Sequence, residues 1–305
     1  MTDNKYDIIV IGTGVSGYGA ALYSGRFRMK TLVIGKETGG VINWANDVDN
    51  YPGIPSMSGI DLADKVKDHA FKFGAELKLE EVNNIEKQDD SFKVATDKNE
   101  YFSKTIVIAT GSERKKLGIP GEKEFEGNGI HSCAICDAYI YKGKTVAVVG
   151  GSDSAAKEAL VLAESASKVY MIYRGEQIRA EPINYDKVME RENIEIINNT
   201  NVLEIMGSEK LEKVLLDNPY NNNNELALDG LFIEVGHTPL SQLAKKIGVD
   251  LNDRDEIITD KMSRTNVKGV FAAGDVTDIE FKQAITGVAQ GVTAAYMAFK
   301  HIKSS

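Results

Sequence analysis

The chain has 305 residues, 42% of them hydrophobic, which allows about two domains of ordinary globular make-up. Its formal charge of -9 argues against non-specific binding to nucleic acid, whose phosphates demand a basic face. The polar N-terminus Met-Thr-Asp-Asn-Lys-Tyr-Asp has no basic stretch leading into an apolar run, and no apolar run approaches the ~20 residues of a membrane span, so a soluble, cytoplasmic protein is expected.

Residues 6–11 (Tyr-Asp-Ile-Ile-Val-Ile) form the short β-branched run of a buried parallel strand, followed at once by Gly12-Thr13-Gly14-Val15-Ser16-Gly17. A helix pattern from about Ser16 and a strand at 31–34 complete one βαβ unit. A helix over 61–73, strands at 82–85 and 92–95, and a buried strand at 105–109 ending in Thr110-Gly111 follow. The first grammar then recurs: a strand at 145–149, the turn Gly150-Gly151-Ser152-Asp153-Ser154-Ala155, a helix to about Ser165 and a strand at 169–173. Further strands at 211–216 and 226–235 flank the Asn-rich stretch 218–224, which predicts an exposed hairpin turn. A strand at 269–273 ends in Gly274-Asp275, and a helix over 283–301 closes the chain. Its small residues Gly287, Ala289, Gly291, Ala294 and Ala295 suit either a cofactor or a tightly packed helix.

GxGxxG alone is a weak signal, but here a strand precedes it, a helix follows, and a second strand comes within about 30 residues. That context predicts a bound dinucleotide, with Gly12 for the tight turn, Gly14 for close approach of pyrophosphate and Gly17 for helix packing. No acidic ribose partner is obvious after the second strand, where Gly35 and Lys36 precede Glu37. In the second turn Ser152 puts a Cβ and a hydroxyl where pyrophosphate should come close. Arg174 and Arg179 suit a 2'-phosphate and equally suit a solvated strand end.

The chain's two cysteines form the motif Cys133-Ala134-Ile135-Cys136-Asp137. Structural zinc would need about four ligands, and only His69, His131, His237 and His301, widely scattered, could join the pair. A pair of inert buried thiols is the other bland reading. Redox chemistry is favoured, because CxxC geometry permits a strained, reducible disulfide and a reactive thiol. Asp137 is then a natural proton donor or acceptor for a thiolate, or merely a cap for the following turn.

Taken in order, the N-terminal glycine loop, Gly39-Gly40, Asp49-Asn50-Tyr51-Pro52-Gly53, Ala109-Thr110-Gly111, Cys133 to Asp137, Gly236-His237-Thr238-Pro239, Gly274-Asp275-Val276 and Gln283-Ala284-Ile285 resemble the low-molecular-weight thioredoxin reductase family over nearly the whole chain. The resemblance implies an α/β protein of two Rossmann-like three-layer dinucleotide-binding domains, the second inserted into the first. Residues 1–116 and 246–305 would bind FAD, and 117–245 would be an NADPH-binding-like domain carrying the CxxC. FAD would be held by Gly12, Gly14, Gly17, Gly39, Gly40, Asn50, Thr110, Gly111, Gly274, Asp275, Gln283 and Ala284. Cys136 would face the flavin, Cys133 would attack the partner disulfide, and Asp137 would be the acid/base. Thioredoxin would be the partner, and the chain would form a homodimer.

Three departures stand out. The family's second site usually reads GxGxxA and then His-Arg-Arg-x-x-x-Arg, whereas this chain has Gly150, Ser152 and Ala155, then Tyr173-Arg174-Gly175 and Arg179. Lys282 stands where the family usually has Arg. The degenerate site resembles that of relatives that take electrons from reduced ferredoxin, so ferredoxin is the favoured donor and NADPH the alternative. Ferredoxins are acidic, and the clusters Arg26, Arg28, Lys30 and Arg114, Lys115, Lys116 are candidate docking charges. Trp44, the sole tryptophan, is expected to pack rather than to shield the flavin. Two other classes share the fold: an oxygen-using dithiol oxidase and a non-catalytic redox sensor.

Overall fold

The computed structural model describes residues 4–45, 48–131 and 134–304, with Ile135 and Cys136 described by their backbone alone. Two compact units share the chain, Met1–Glu113 with Thr238–Ser305, and Arg114–His237. The crossings therefore fall at 113/114 and 237/238 rather than at the expected 116/117 and 245/246. Residues after 237 are tied to the first unit because the Thr110 hydroxyl donates to the Leu240 carbonyl at 2.7 Å and the Leu240 N–H donates to the Gly111 carbonyl at 3.0 Å.

In the first unit β1 (Lys5–Ile11), α1 (Val15–Arg26) and β2 (Thr31–Gly35) form the predicted βαβ unit. Then come α2 (Gly59–Phe71), β3 (Glu76–Leu79), β4 (Val82–Gln88), β5 (Ser91–Thr96), β6 (Glu100–Ile108) and β7 (Ser112–Arg114). After the inserted unit the chain returns through β16 (His237–Pro239), α6 (Gln242–Lys246), β17 (Val270–Ala272) and α7 (Ala284–Ser304). The main sheet has the order β3-β2-β1-β6-β5-β4, with β17 also on β6. Along β1 the two-residue period sends Ile8 and Val10 to the face covered by α1 and α7, and Ile9 and Ile11 to the opposite core with Ile257 and Val276. All four are at most 2% exposed, and burying each such side chain contributes about 1.5–3 kcal/mol.

The second unit contains β8 (Ile130–His131), α3 (Ala134–Asp137), β9 (Thr145–Val149), α4 (Asp153–Ala163), β10 (Lys168–Ile172), α5 (Pro182–Met189), β11 (Ile194–Ile197), β12 (Val202–Gly207), β13 (Leu211–Tyr220), β14 (Asn223–Ala227) and β15 (Gly230–Ile233). Its parallel sheet runs β11-β10-β9-β15-β8, while β12-β13-β14 form a separate antiparallel sheet. Val146 and Val148 pack on the alanines of α4, and Ala147 and Val149 on the antiparallel sheet. The three layers are thus helix, parallel sheet and antiparallel sheet.

The single strand expected over 226–235 is two strands in different sheets, because the chain turns at Leu228-Asp229. There the Asp229 carboxylate accepts the Thr145 N–H at 2.9 Å. The Asn-rich hairpin is present, with Asn221 and Asn222 at its tip at φ 50° and 64°, a left-handed pair suited to asparagine. Among the described residues no helix is long and apolar enough to cross a membrane.

Candidate active site

In the first unit the turns after β1, β2, β6 and β17 gather at the carboxyl ends of parallel strands, where open α/β sheets take ligands. Gly12 has φ +125°, and a Cβ there would lie 1.9 Å from the Ala109 carbonyl oxygen. A Cβ on Gly17 would lie 2.0 Å from the Gly12 carbonyl oxygen. The protein's own packing therefore demands both glycines. It does not demand Gly14, whose Cβ would meet only the Gly39 carbonyl oxygen, at 3.5 Å. Gly14 is the N-cap of α1, no side chain caps that end, and the first turn holds no acidic residue. Its N–H groups and the positive end of the helix dipole remain available to a pyrophosphate.

The neighbouring turns frame the same end of α1. The Gly39 N–H donates to the Thr13 carbonyl at 2.8 Å, and the Cβ position of Gly40 is 3.4 Å from the Gly14 Cα. Gly111 sits at φ +70° with no atom within 4 Å of its Cβ position. Asn50 donates to the Gln283 side-chain oxygen at 3.2 Å, just before Ala284 opens α7. The turn of Gly274 and Asp275 is fixed by Gln290, whose Oε1 accepts the Gly274 N–H at 2.8 Å. Lys282 holds that turn from another side, donating to the carbonyls of Asp275 at 3.1 Å and Thr277 at 2.6 Å and pairing with Glu256 at 3.0 Å. Gln290 escapes sequence reading because no motif marks it.

The small residues of α7 mostly serve helix packing. A Cβ on Gly287 would lie 2.4 Å from Ser16 Oγ, and one on Gly291 would lie 2.1 Å from the Ser16 carbonyl oxygen. Ala294 and Ala295 are buried on the same face, whereas Ala289 is exposed. Trp44 ends a 3-10 turn over Gly40–Trp44 and is 40% exposed.

The second glycine turn is filled by its own side chains. Ser152 is the N-cap of α4, and its Oγ accepts the Ala155 N–H at 3.4 Å. Asp153 follows in the first turn, accepting from the Glu181 N–H at 2.9 Å and from Asn184 at 2.8 Å. Burial opposes its charge, but these hydrogen bonds and Lys157 outweigh burial and hold the carboxyl below the usual carboxylate range. A carboxylate thus stands at the helix end that would otherwise attract phosphate. The Tyr173 ring lies 2.4 Å from the Cβ position of Gly151 and 2.7 Å from that of Gly175, and the Arg179 N–H donates to the Gly151 carbonyl at 2.6 Å. Arg174 and Arg179 themselves are exposed.

Cys133 and the side chain of Cys136 lie outside the described residues. The backbone of α3 carries Asp137, and the buried Ala134 N–H donates to Glu158 Oε1 at 3.4 Å. Asp137 Oδ2 is 2.8 Å from His131 Nδ1, and His131 Nε2 is 2.6 Å from the Tyr141 hydroxyl. Arg114 is not a surface docking charge: its side chain is 16% exposed and pairs with Glu234 at 2.9 Å and Glu158 at 3.6 Å. Lys116 pairs with Glu126 at 3.0 Å, while Arg26, Arg28 and Lys30 are exposed.

Residues 6–291 match the model of the pyridine nucleotide-disulphide oxidoreductase family. A thioredoxin reductase of Treponema pallidum is 37% identical over 303 residues, covering 98% of both chains. Among solved structures, Lactococcus lactis thioredoxin reductase superposes with a TM-score of 0.94 at 35% identity over 98% of this chain and 100% of its own. A ferredoxin-flavin thioredoxin reductase from Clostridium acetobutylicum aligns at 32% identity and a TM-score of 0.54 over 99% of each chain. The cofactor implied by these likenesses is FAD, and the uncapped, acid-free end of α1 beside Gly14 suits its pyrophosphate. The chain belongs to the pyridine nucleotide-disulphide oxidoreductase family.

Proposed function

We propose that this chain is a flavin-dependent thioredoxin-disulfide reductase fed by reduced ferredoxin rather than by NADPH. The carrying observation is the contrast between its two glycine turns. The end of α1 is open, with Gly14 bare and no capping side chain, while the end of α4 is capped by Ser152 and charged by Asp153. A dinucleotide at the second turn would have to displace the Ser152 cap, meet the Asp153 carboxylate and move the Tyr173 ring. The alignment with the ferredoxin-flavin enzyme of C. acetobutylicum supports the same donor.

FAD, when bound, accepts electrons from the donor and passes a pair to a disulfide. Gly14, Gly39, Gly40, Asn50, Thr110, Gly111, Asp275 and Gln283 would hold it, with Gly12, Gly17, Gly274 and Ala284 shaping the turns. The disulfide is Cys133–Cys136, with Cys136 on the flavin side and Cys133 the nucleophile toward thioredoxin. Asp137 carries the proton. In each cycle two electrons and two protons leave the enzyme dithiol and convert the thioredoxin disulfide to a dithiol. The assembly is a homodimer, which sedimentation measures directly.

The test is anaerobic mixing of the FAD-loaded enzyme with either donor while flavin absorbance is followed. Reduced ferredoxin should bleach the flavin quickly and NADPH slowly or not at all. Fast bleaching by micromolar NADPH would overturn the choice of donor, and unchanged thioredoxin reduction by a Cys133→Ser enzyme would overturn the role of the pair.

A further inference from the structure

His131 is the last residue of β8, and its ring is held on every side. Phe232, its parallel neighbour on β15, stacks on it with centroids 5.3 Å apart and planes at 27°. Tyr141 meets it edge-on at 5.4 Å, and Gly230 leaves room for Tyr141, since a Cβ there would lie 2.5 Å from the tyrosine ring. The imidazole side chain is 9% exposed, and both nitrogens are engaged: Nδ1 lies 2.8 Å from Asp137 Oδ2, and Nε2 lies 2.6 Å from the Tyr141 hydroxyl. Asp229 and Lys144 also stand beside Tyr141.

The proton order follows from the tyrosine. Burial first, then the charges of Asp137 and Asp229, push the Tyr141 hydroxyl up to about 12, so it keeps its proton and donates it to Nε2. With the hydrogen on the Nε2 side supplied by the tyrosine, the imidazole presents its own hydrogen on Nδ1 to Asp137. One carboxylate oxygen is thereby fixed and the other is left for chemistry, as with a second group that orients a catalytic base.

Resting on the proposed role of Asp137, we propose that His131 is a positioning residue: its Nδ1–H holds one oxygen of the Asp137 carboxylate in place, and Tyr141 fixes the imidazole tautomer that can do so. In the step it serves, an S–H bond breaks as an O–H bond forms on the free Asp137 oxygen. The thiolate forms a sulfur–sulfur bond to the partner while the partner's disulfide breaks, and the leaving thiolate takes the proton back from Asp137. The second enzyme thiol then attacks the mixed disulfide: the enzyme's own sulfur–sulfur bond forms as the mixed one breaks, and the proton from its S–H bond passes to the departing partner thiolate, so the enzyme dithiol is oxidised and the partner disulfide reduced.

The test compares His131→Asn with His131→Gln in the FAD-loaded enzyme. An Asn amide reaches the Nδ1 position and restores the donor to Asp137, whereas a Gln amide reaches the Nε2 position and does not; both lose the stack on Phe232 equally. Reduced enzyme is mixed anaerobically with oxidised thioredoxin and, separately, with a small aromatic disulfide. His131→Gln should slow exchange about tenfold or more with unchanged KM, and His131→Asn should stay within about threefold of the parent. Equal rates for the two variants, with Asp137→Asn slow, would overturn the inference alone. An Asp137→Asn enzyme at the parental rate would overturn both the role of Asp137 and the inference. Exchange with the small disulfide but not with thioredoxin would overturn only the partner.

Discussion

Arg114 Nη1 lies 2.9 Å from a carboxylate oxygen of Glu234, and Glu158 approaches the same guanidinium at 3.6 Å. One largely buried guanidinium therefore faces two largely buried carboxyls. Burial, then the charge of Glu234, push Glu158 up to about 8 against the pull of Arg114. Burial likewise raises Glu234, with Arg114 opposing.

A group whose folded pKa lies above its unfolded value binds more protons when folded, so stability declines as pH rises between the two. For Glu158 that window runs from 4.5 to about 8. Denaturant midpoints measured across it should fall with pH, and Glu158→Gln should flatten the slope. Arg114→Ala should destabilise by about 3–5 kcal/mol at pH 8 and by less at pH 6, where a proton can replace the lost cation. A pH-independent loss would show that the guanidinium acts by packing alone.

The glycines of the first turn should separate folding from flavin retention. Gly12→Ala would place a Cβ 1.9 Å from a carbonyl oxygen at φ +125°, and the variant should not fold stably. Gly14→Ala meets nothing closer than 3.5 Å, so the apoprotein should keep its stability within about 0.5 kcal/mol while flavin absorbance per chain drops. Full flavin content in Gly14→Ala would argue against pyrophosphate at this turn.

Gln290→Leu leaves the Gly274 N–H without its acceptor, a loss of about 1–3 kcal/mol if no water replaces it. The Gly274–Asp275 turn should loosen and FAD should dissociate faster, measured as recovery of flavin fluorescence on dilution.

Opening the second turn should admit a nucleotide. The double change Ser152→Gly with Asp153→Asn removes the cap hydroxyl and the carboxylate at a stability cost of a few tenths to about 1 kcal/mol. Bleaching by NADPH should accelerate at least about tenfold, as expected for relief of one charged contact. No acceleration would point to the Tyr173 ring as the barrier.

The βαβ units were legible because a buried strand, a glycine turn and a helix each leave a local signature, as residues 6–17 and 145–155 do. Where contacts are distant, that signature fails. Arg114 reads as part of a basic surface cluster because its partner Glu234 is 120 positions away, and nothing near either residue announces burial. His131 reads only as a stray zinc ligand. Its partners lie six and ten positions on, across a strand, a short helix and a 3-10 turn, and match no helix or strand period. The strand expected over 226–235 looked continuous because Leu226, Leu228 and Leu231 are all buried, although they belong to a strand, a turn and another sheet. The end of α1, which no side chain caps, and the capped end of α4 differ by side chains that sequence does show, Gly14 against Ser152 and Asp153, yet only the hydrogen bonds reveal that the second turn satisfies itself.

The paired strands β7 and β16, which carry the chain out of the first unit and back into it, put departure and return side by side. Such an arrangement makes the inserted unit a cassette: its ends meet, and so do the ends it interrupts. Either piece can be lengthened or exchanged without rethreading the other.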